Sequence, residues 1–144
     1  MKDCCVRILA ALLAFLLPLA ALSAGAQPLP NVPTLQVPPG GATVPGQVAA
    51  NGRNVYSVAA NSLQALSVTI ASPGNNAIFQ VYDVGASATG ATGSAVVSGT
   101  TLSGAGTADA SMAWIGVIPQ TGIYLIAVDS KSGPASYTLT VQFQ

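Results

Sequence analysis

The chain has 144 residues, 51% of them hydrophobic and only 6% charged, with no net formal charge, no histidine and two cysteines. Both cysteines, Cys4 and Cys5, precede residue 26, beyond which the charged side chains are Arg53 and Lys131 against Asp83, Asp109 and Asp129. Without an imidazole, a thiolate or a tuned carboxylate pair, the usual catalytic parts are missing, and two basic residues cannot neutralise a run of phosphates, so neither an enzyme nor a nucleic-acid binder is expected.

Residues 1–26 read as an export signal. Lys2 and Arg7 form a basic start, Ile8 to Leu22 an apolar run interrupted by Pro18, and Ser23-Ala24-Gly25-Ala26 supply small residues for cleavage. The run is shorter than the roughly 20 apolar residues that span a bilayer. Cleavage after Ala26 is therefore expected, giving a periplasmic or secreted chain that starts at Gln27 and keeps no stable membrane insertion. Both thiols leave with the signal, so the remaining chain, long enough for one domain, holds no disulfide.

Residues 27–45 contain Pro28, Pro30, Pro33, Pro38, Pro39 and Pro45. Proline fixes φ and lacks a donor, which predicts an extended linker that at most lends an edge strand. The domain is expected over residues 46–144, where the period is two. Tyr56 and Val58 alternate with Ser57 and Ala59; Leu66, Val68 and Ile70 with Ser67, Thr69 and Ala71; and Tyr137, Leu139, Val141 and Phe143 with Thr138, Thr140, Gln142 and Gln144. Phe79 and Val81 share a face opposite Gln80 and Tyr82. Asn51-Gly52 suits a type I′ hairpin, while Ser72-Pro73-Gly74-Asn75-Asn76 and Lys131-Ser132-Gly133-Pro134 suit longer turns. The segment Gly85 to Ala110, nearly all Gly, Ala, Ser and Thr, predicts one or two short strands set in long loops.

Trp114 is expected in the core, because burying its large ring contributes more than displaying it. Ile123 to Val128 is apolar on both faces, so this strand is either central and covered twice or meets a partner. No helical spacing occurs past residue 27. The fold class is all-β: an antiparallel, jelly-roll-like β-sandwich of about eight short strands.

A Ser-His-Asp or Cys-His arrangement is excluded, and Lys131, beside Ser132 in a solvated turn, lacks the burial a Ser-Lys dyad needs. Zinc is not expected without histidine or cysteine ligands. Calcium is the one metal left open, at Asp83 or Asp129 with turn carbonyls, although no dense Asp-x-Asp spacing accompanies them. No other cofactor is expected.

The last third carries a longer phrase. Trp114-Ile115-Gly116-Val117-Ile118-Pro119-Gln120-Thr121-Gly122-Ile123-Tyr124-Leu125-Ile126-Ala127-Val128, followed by Ala135-Ser136-Tyr137-Thr138-Leu139-Thr140-Val141, resembles the closing strands of the bacterial pre-peptidase C-terminal domain. Asn54 to Val58, Leu66 to Ile70 and Phe79 to Tyr82 fall where that family places its opening strands, so the likeness covers residues 46–144. It implies a small jelly-roll-like sandwich, in some members binding calcium or collagen.

The same phrase is similar to that of the periplasmic inhibitors of g-type and i-type lysozymes, Trp-x-Gly-x-Leu-Pro-x-Ser-Gly-x-Tyr. In the i-type inhibitors the Ser-Gly-x-Tyr loop enters the lysozyme cleft, so this resemblance implies Thr121, Gly122 and Tyr124 as partner-binding residues. Thr for Ser keeps the hydroxyl and adds a methyl. The charge departs from the pattern: those inhibitors gain on-rate from acidic surfaces, whereas this chain is almost neutral. In the non-inhibitory family the turn is structural and its tyrosine belongs to the core. Two functions are thus expected of a non-catalytic module at the cell envelope: gripping a protein or polymer, or inhibiting lysozyme through the Thr121-Gly122-Ile123-Tyr124 turn.

Overall fold

Alternating apolar residues build strands whose inner faces can only be buried against a second sheet. In the computed structural model, which describes residues 31–144, these strands are β1 (Ala42–Val48), β2 (Arg53–Ala60), β3 (Ala65–Ala71), β4 (Ala77–Tyr82), β5 (Ser87–Thr89), β6 (Val96–Ser98), β7 (Ala113–Val117), β8 (Gly122–Ser130) and β9 (Ala135–Phe143). The export signal expected at residues 1–26 lies outside the described residues. One sheet has the order β1-β9-β3-β7 and the other β2-β8-β4, all pairs antiparallel, while β5 and β6 form a separate ribbon. The protein is an all-β antiparallel sandwich.

The chain changes sheet at nearly every turn: β1 to β4 alternate between the two sheets, and so do β7 to β9. Asn51-Gly52 therefore does not close the expected hairpin, since β1 pairs with β9 and β2 with β8. It makes a corner between sheets, with Asn51 at φ 56° and the Gly52 amide donating to the Ala49 carbonyl at 2.9 Å. The space there is tight, because a Cβ on Gly52 would lie 2.7 Å from the Gly93 carbonyl oxygen.

The strand β1 crosses the boundary expected between residues 45 and 46, so the packed domain takes in residues that the proline content marks as linker. Pro45 is accommodated because β1 is an edge strand, where one row of amides needs no partner. Leu35 and Val37 also pack on the core.

Between the sheets lie Val58, Leu66, Val68, Phe79, Val81, Ile118, Tyr124, Ile126, Val128, Leu139 and Val141, all essentially inaccessible. Each large apolar side chain there contributes about 1.5–3 kcal/mol relative to exposure. Trp114 is half-buried at the margin of this core, lying along Gly116. The second apolar face of β8 is covered as well. Leu125 and Ala127, with Val55 and Tyr82, pack beneath Ala86, Ala88, Ala95 and Val97 of the Gly/Ala-rich segment, so the ribbon is a lid on the outside of the three-stranded sheet.

Candidate functional site

The expected turn leaves β7 and enters β8 at one end of the sandwich. Tyr124 stands opposite Val58 on the inner face, with no exposure. Its hydroxyl donates to the Gln120 carbonyl at 2.6 Å, and the Gln120 amide approaches the same oxygen at 3.4 Å. Burial raises the tyrosine pKa, with the Gln120 backbone bond acting the other way. Tyr124 thus meets its own turn rather than solvent, and it cannot reach a partner's cleft without unpacking the core.

Thr121 is exposed, and its hydroxyl accepts the Ser62 amide at 3.0 Å. Gly122 packs closely on its neighbour, since a Cβ would lie 2.7 Å from a Val84 methyl and displace it. Ile123 is half-buried. A shallow groove of about 230 Å³ runs between Ala59-Ala60-Asn61 and Thr121-Gly122-Ile123. Of the implied residues, the structure brings Thr121 and Gly122 to the surface and keeps Tyr124 beneath them.

Beside Thr121 stands a second tight loop, Asn61 to Gln64, that sequence reasoning passed over. The Asn61 amide donates to Gln64 Oε1 at 2.7 Å, the Leu63 amide to the Ile118 carbonyl at 2.8 Å, and the Ile118 amide to the Gln64 carbonyl at 2.8 Å. These bonds hold Leu63 at φ 69°, and the residue is 83% exposed. A left-handed backbone costs a bulky residue about 1–2 kcal/mol, and display of a large apolar group returns none of that. The only sequence signal was one large apolar residue inside a polar turn.

The two aspartates left open for calcium are engaged within the chain. Asp129 accepts Arg53 Nε at 2.6 Å and Nη2 at 2.7 Å, and Gln80 Nε2 at 3.0 Å. Donating to the Asp129 carboxylate raises the Arg53 pKa further, against the effect of burial. One Asp83 oxygen accepts the Val84 amide at 2.7 Å. Among the described residues no three acidic, histidine or cysteine side chains gather. Trp114 is half-buried against the core, and its Nε1 donates to the Ser103 carbonyl at 2.9 Å.

No protein-family model matches this chain, and no curated protein matches it. Solved structures do. The periplasmic lysozyme inhibitor of g-type lysozyme from Aeromonas hydrophila superposes with a TM-score of 0.56 at 23% identity, covering 79% of this chain and 96% of the inhibitor. Its counterpart from Salmonella Typhimurium gives 0.52 at 16% identity, over 77% and 96%. This chain has their fold. The pre-peptidase C-terminal domain of a Bacillus anthracis collagenase superposes at 0.47 with 14% identity, over 82% and 100%, a likeness too slight to argue from.

Proposed function

We propose that this protein is a non-catalytic, exported binding module of the cell envelope, and that its partner is a lysozyme whose cleft receives the turn before β8. The observation that carries the reading is the division of labour in that turn. Thr121 presents a hydroxyl at the surface, while the buried Tyr124 holds the turn through the Gln120 carbonyl. A loop already ordered before binding avoids much of the entropy cost of association. Likeness of fold to two inhibitors of g-type lysozyme supports the choice of partner, and the missing catalytic groups support inhibition or binding over chemistry. Leu63, beside the turn, offers an exposed apolar side chain for a partner to bury.

The test is direct. Mature protein at micromolar concentration is added to g-, i- and c-type lysozymes acting on cell walls, with inhibition of the g-type enzyme expected. Full activity of all three classes would overturn the lysozyme reading. Thr121→Ala is expected to weaken inhibition while leaving the circular dichroism unchanged.

A further inference from the structure

The two sheets leave four long edges, and within the described residues three of them are closed or guarded. Along β2, the Leu35 amide donates to the Ser57 carbonyl at 2.8 Å, the Ser57 amide donates to Pro33 at 2.9 Å, and Arg53 exchanges two bonds of 3.1 Å with Gly93. Along β4, Phe79, Val81 and Asp83 donate to the carbonyls of Ser111, Ala105 and Thr100 at 3.0, 3.0 and 2.8 Å. The edge strand β1 carries Pro45, a residue that cannot donate and so discourages pairing. The fourth edge, β7, has no such guard: Ala113-Trp114-Ile115-Gly116-Val117 holds neither a charge nor a proline.

The phase of the β3–β7 ladder shows what that edge offers. Ile118 donates to Gln64 and Ile70 to Met112, both at 2.8 Å, at the two ends of a register that pairs Leu66 with Gly116 and Val68 with Trp114. Bonded and non-bonded pairs alternate in an antiparallel ladder, so Met112, Trp114, Gly116 and Ile118 direct their backbone groups to β3. Ala113, Ile115 and Val117 direct theirs outward. The same residues display side chains on the outer face, Ile115 with 60% exposure and Val117 with 62%.

We propose that this edge pairs with the same edge of a second copy of the chain, antiparallel about a twofold axis at Ile115. Ile115 then faces its own equivalent and Ala113 faces Val117, and each of the three residues donates one backbone bond and accepts one. The register is specified by what flanks it. A slip of two residues one way sets Ala113 opposite Pro119, which has no amide to give. A slip the other way sets Val117 opposite Ser111, whose carbonyl already accepts the Phe79 amide. Two uncharged edges bring no like charges together, and Ile115 and Val117 of both copies meet in one apolar cluster on a continuous sheet. The pairing is independent of the lysozyme reading, because the Thr121 turn lies beyond the ladder.

Sedimentation of the mature protein across concentration, with amide hydrogen exchange on the same samples, tests this. A concentration-dependent dimer is expected, in which the Ala113, Ile115 and Val117 amides exchange at least about tenfold more slowly than in the monomer. Ile115→Lys should sediment as a folded monomer. Thr138→Lys, which adds the same charge to the same face on the interior strand β9, should still dimerise. Wild-type protein that stays monomeric at millimolar concentration, a dimer that survives Ile115→Lys, or free exchange of those three amides in the dimer would overturn the proposal.

Discussion

The Tyr124 hydroxyl donates to the Gln120 carbonyl at 2.6 Å from a ring with no solvent exposure, so a core residue fastens the exposed turn from beneath. Tyr124→Phe removes this bond and leaves the ring in place. Its expected cost is about 0.5–1.5 kcal/mol in urea unfolding, with a parallel loss of the proposed inhibition as the turn loosens. An unchanged unfolding midpoint would show that the bond adds nothing to the fold.

Leu63 holds a conformation that asparagine tolerates better. Leu63→Asn is therefore expected to raise stability by up to about 1 kcal/mol. If Leu63 anchors the partner, the same substitution weakens binding by about 1–3 kcal/mol. Calorimetric unfolding and titration against the proposed lysozyme partner measure the two effects separately, and unaltered binding would remove Leu63 from the proposed interface.

Tyr56 and Tyr137 share a hydroxyl–hydroxyl bond of 2.5 Å, to which Asn54 Nδ2 adds a donor to Tyr137 at 2.9 Å. Burial, reinforced by Tyr137, pushes the Tyr56 pKa well above its ordinary 10.0. The fold thus favours the neutral phenol over its anion. The stability it contributes is present in full below the unfolded pKa near 10 and is lost as pH climbs above it. Unfolding midpoints should fall on the alkaline side, and Tyr56→Phe should flatten that fall. A wild-type midpoint that does not change above pH 10 would contradict the linkage.

A Cβ on Gly116 would come within 2.3 Å of Trp114 Cζ2, so Gly116→Ala must displace the indole. The expected cost is about 1–3 kcal/mol, as for other overpacked sites. Because the chain has one tryptophan, its fluorescence should shift to longer wavelength with the change. Native fluorescence and stability in the variant would show that the ring has room to move.

The domain carries few charges, and Arg53 is paired with Asp129. Little field remains to steer a partner, so association with the proposed lysozyme partner should proceed at the rate of a neutral encounter and vary little with ionic strength. Stopped-flow rates that fall steeply between low and physiological salt would show that steering operates after all.

Much of this was written along the chain. The alternation at Leu66, Val68 and Ile70, and again at Tyr137, Leu139 and Val141, determined both the strands and the faces they bury, because a period of two permits no other amphipathic arrangement. It also turned Tyr124 inward. The apolar run through Leu125 and Ala127 announced a strand with two faces to cover.

What covers the second face was a tertiary decision. A segment of Gly, Ala, Ser and Thr carries too weak a pattern to show that it folds back over Val55, Tyr82, Leu125 and Ala127. Nor could Asn51-Gly52 reveal that it turns between sheets, for local turn chemistry is the same whether or not the flanking strands pair. Arg53 and Asp129 are 76 residues apart and meet only through the β2–β8 register. The strain at Leu63 arises in the same way, from its amide bonding to Ile118 across the fold. Side-chain period fixes which way a strand faces. Which strand lies beside it is set by long-range packing that no local window contains.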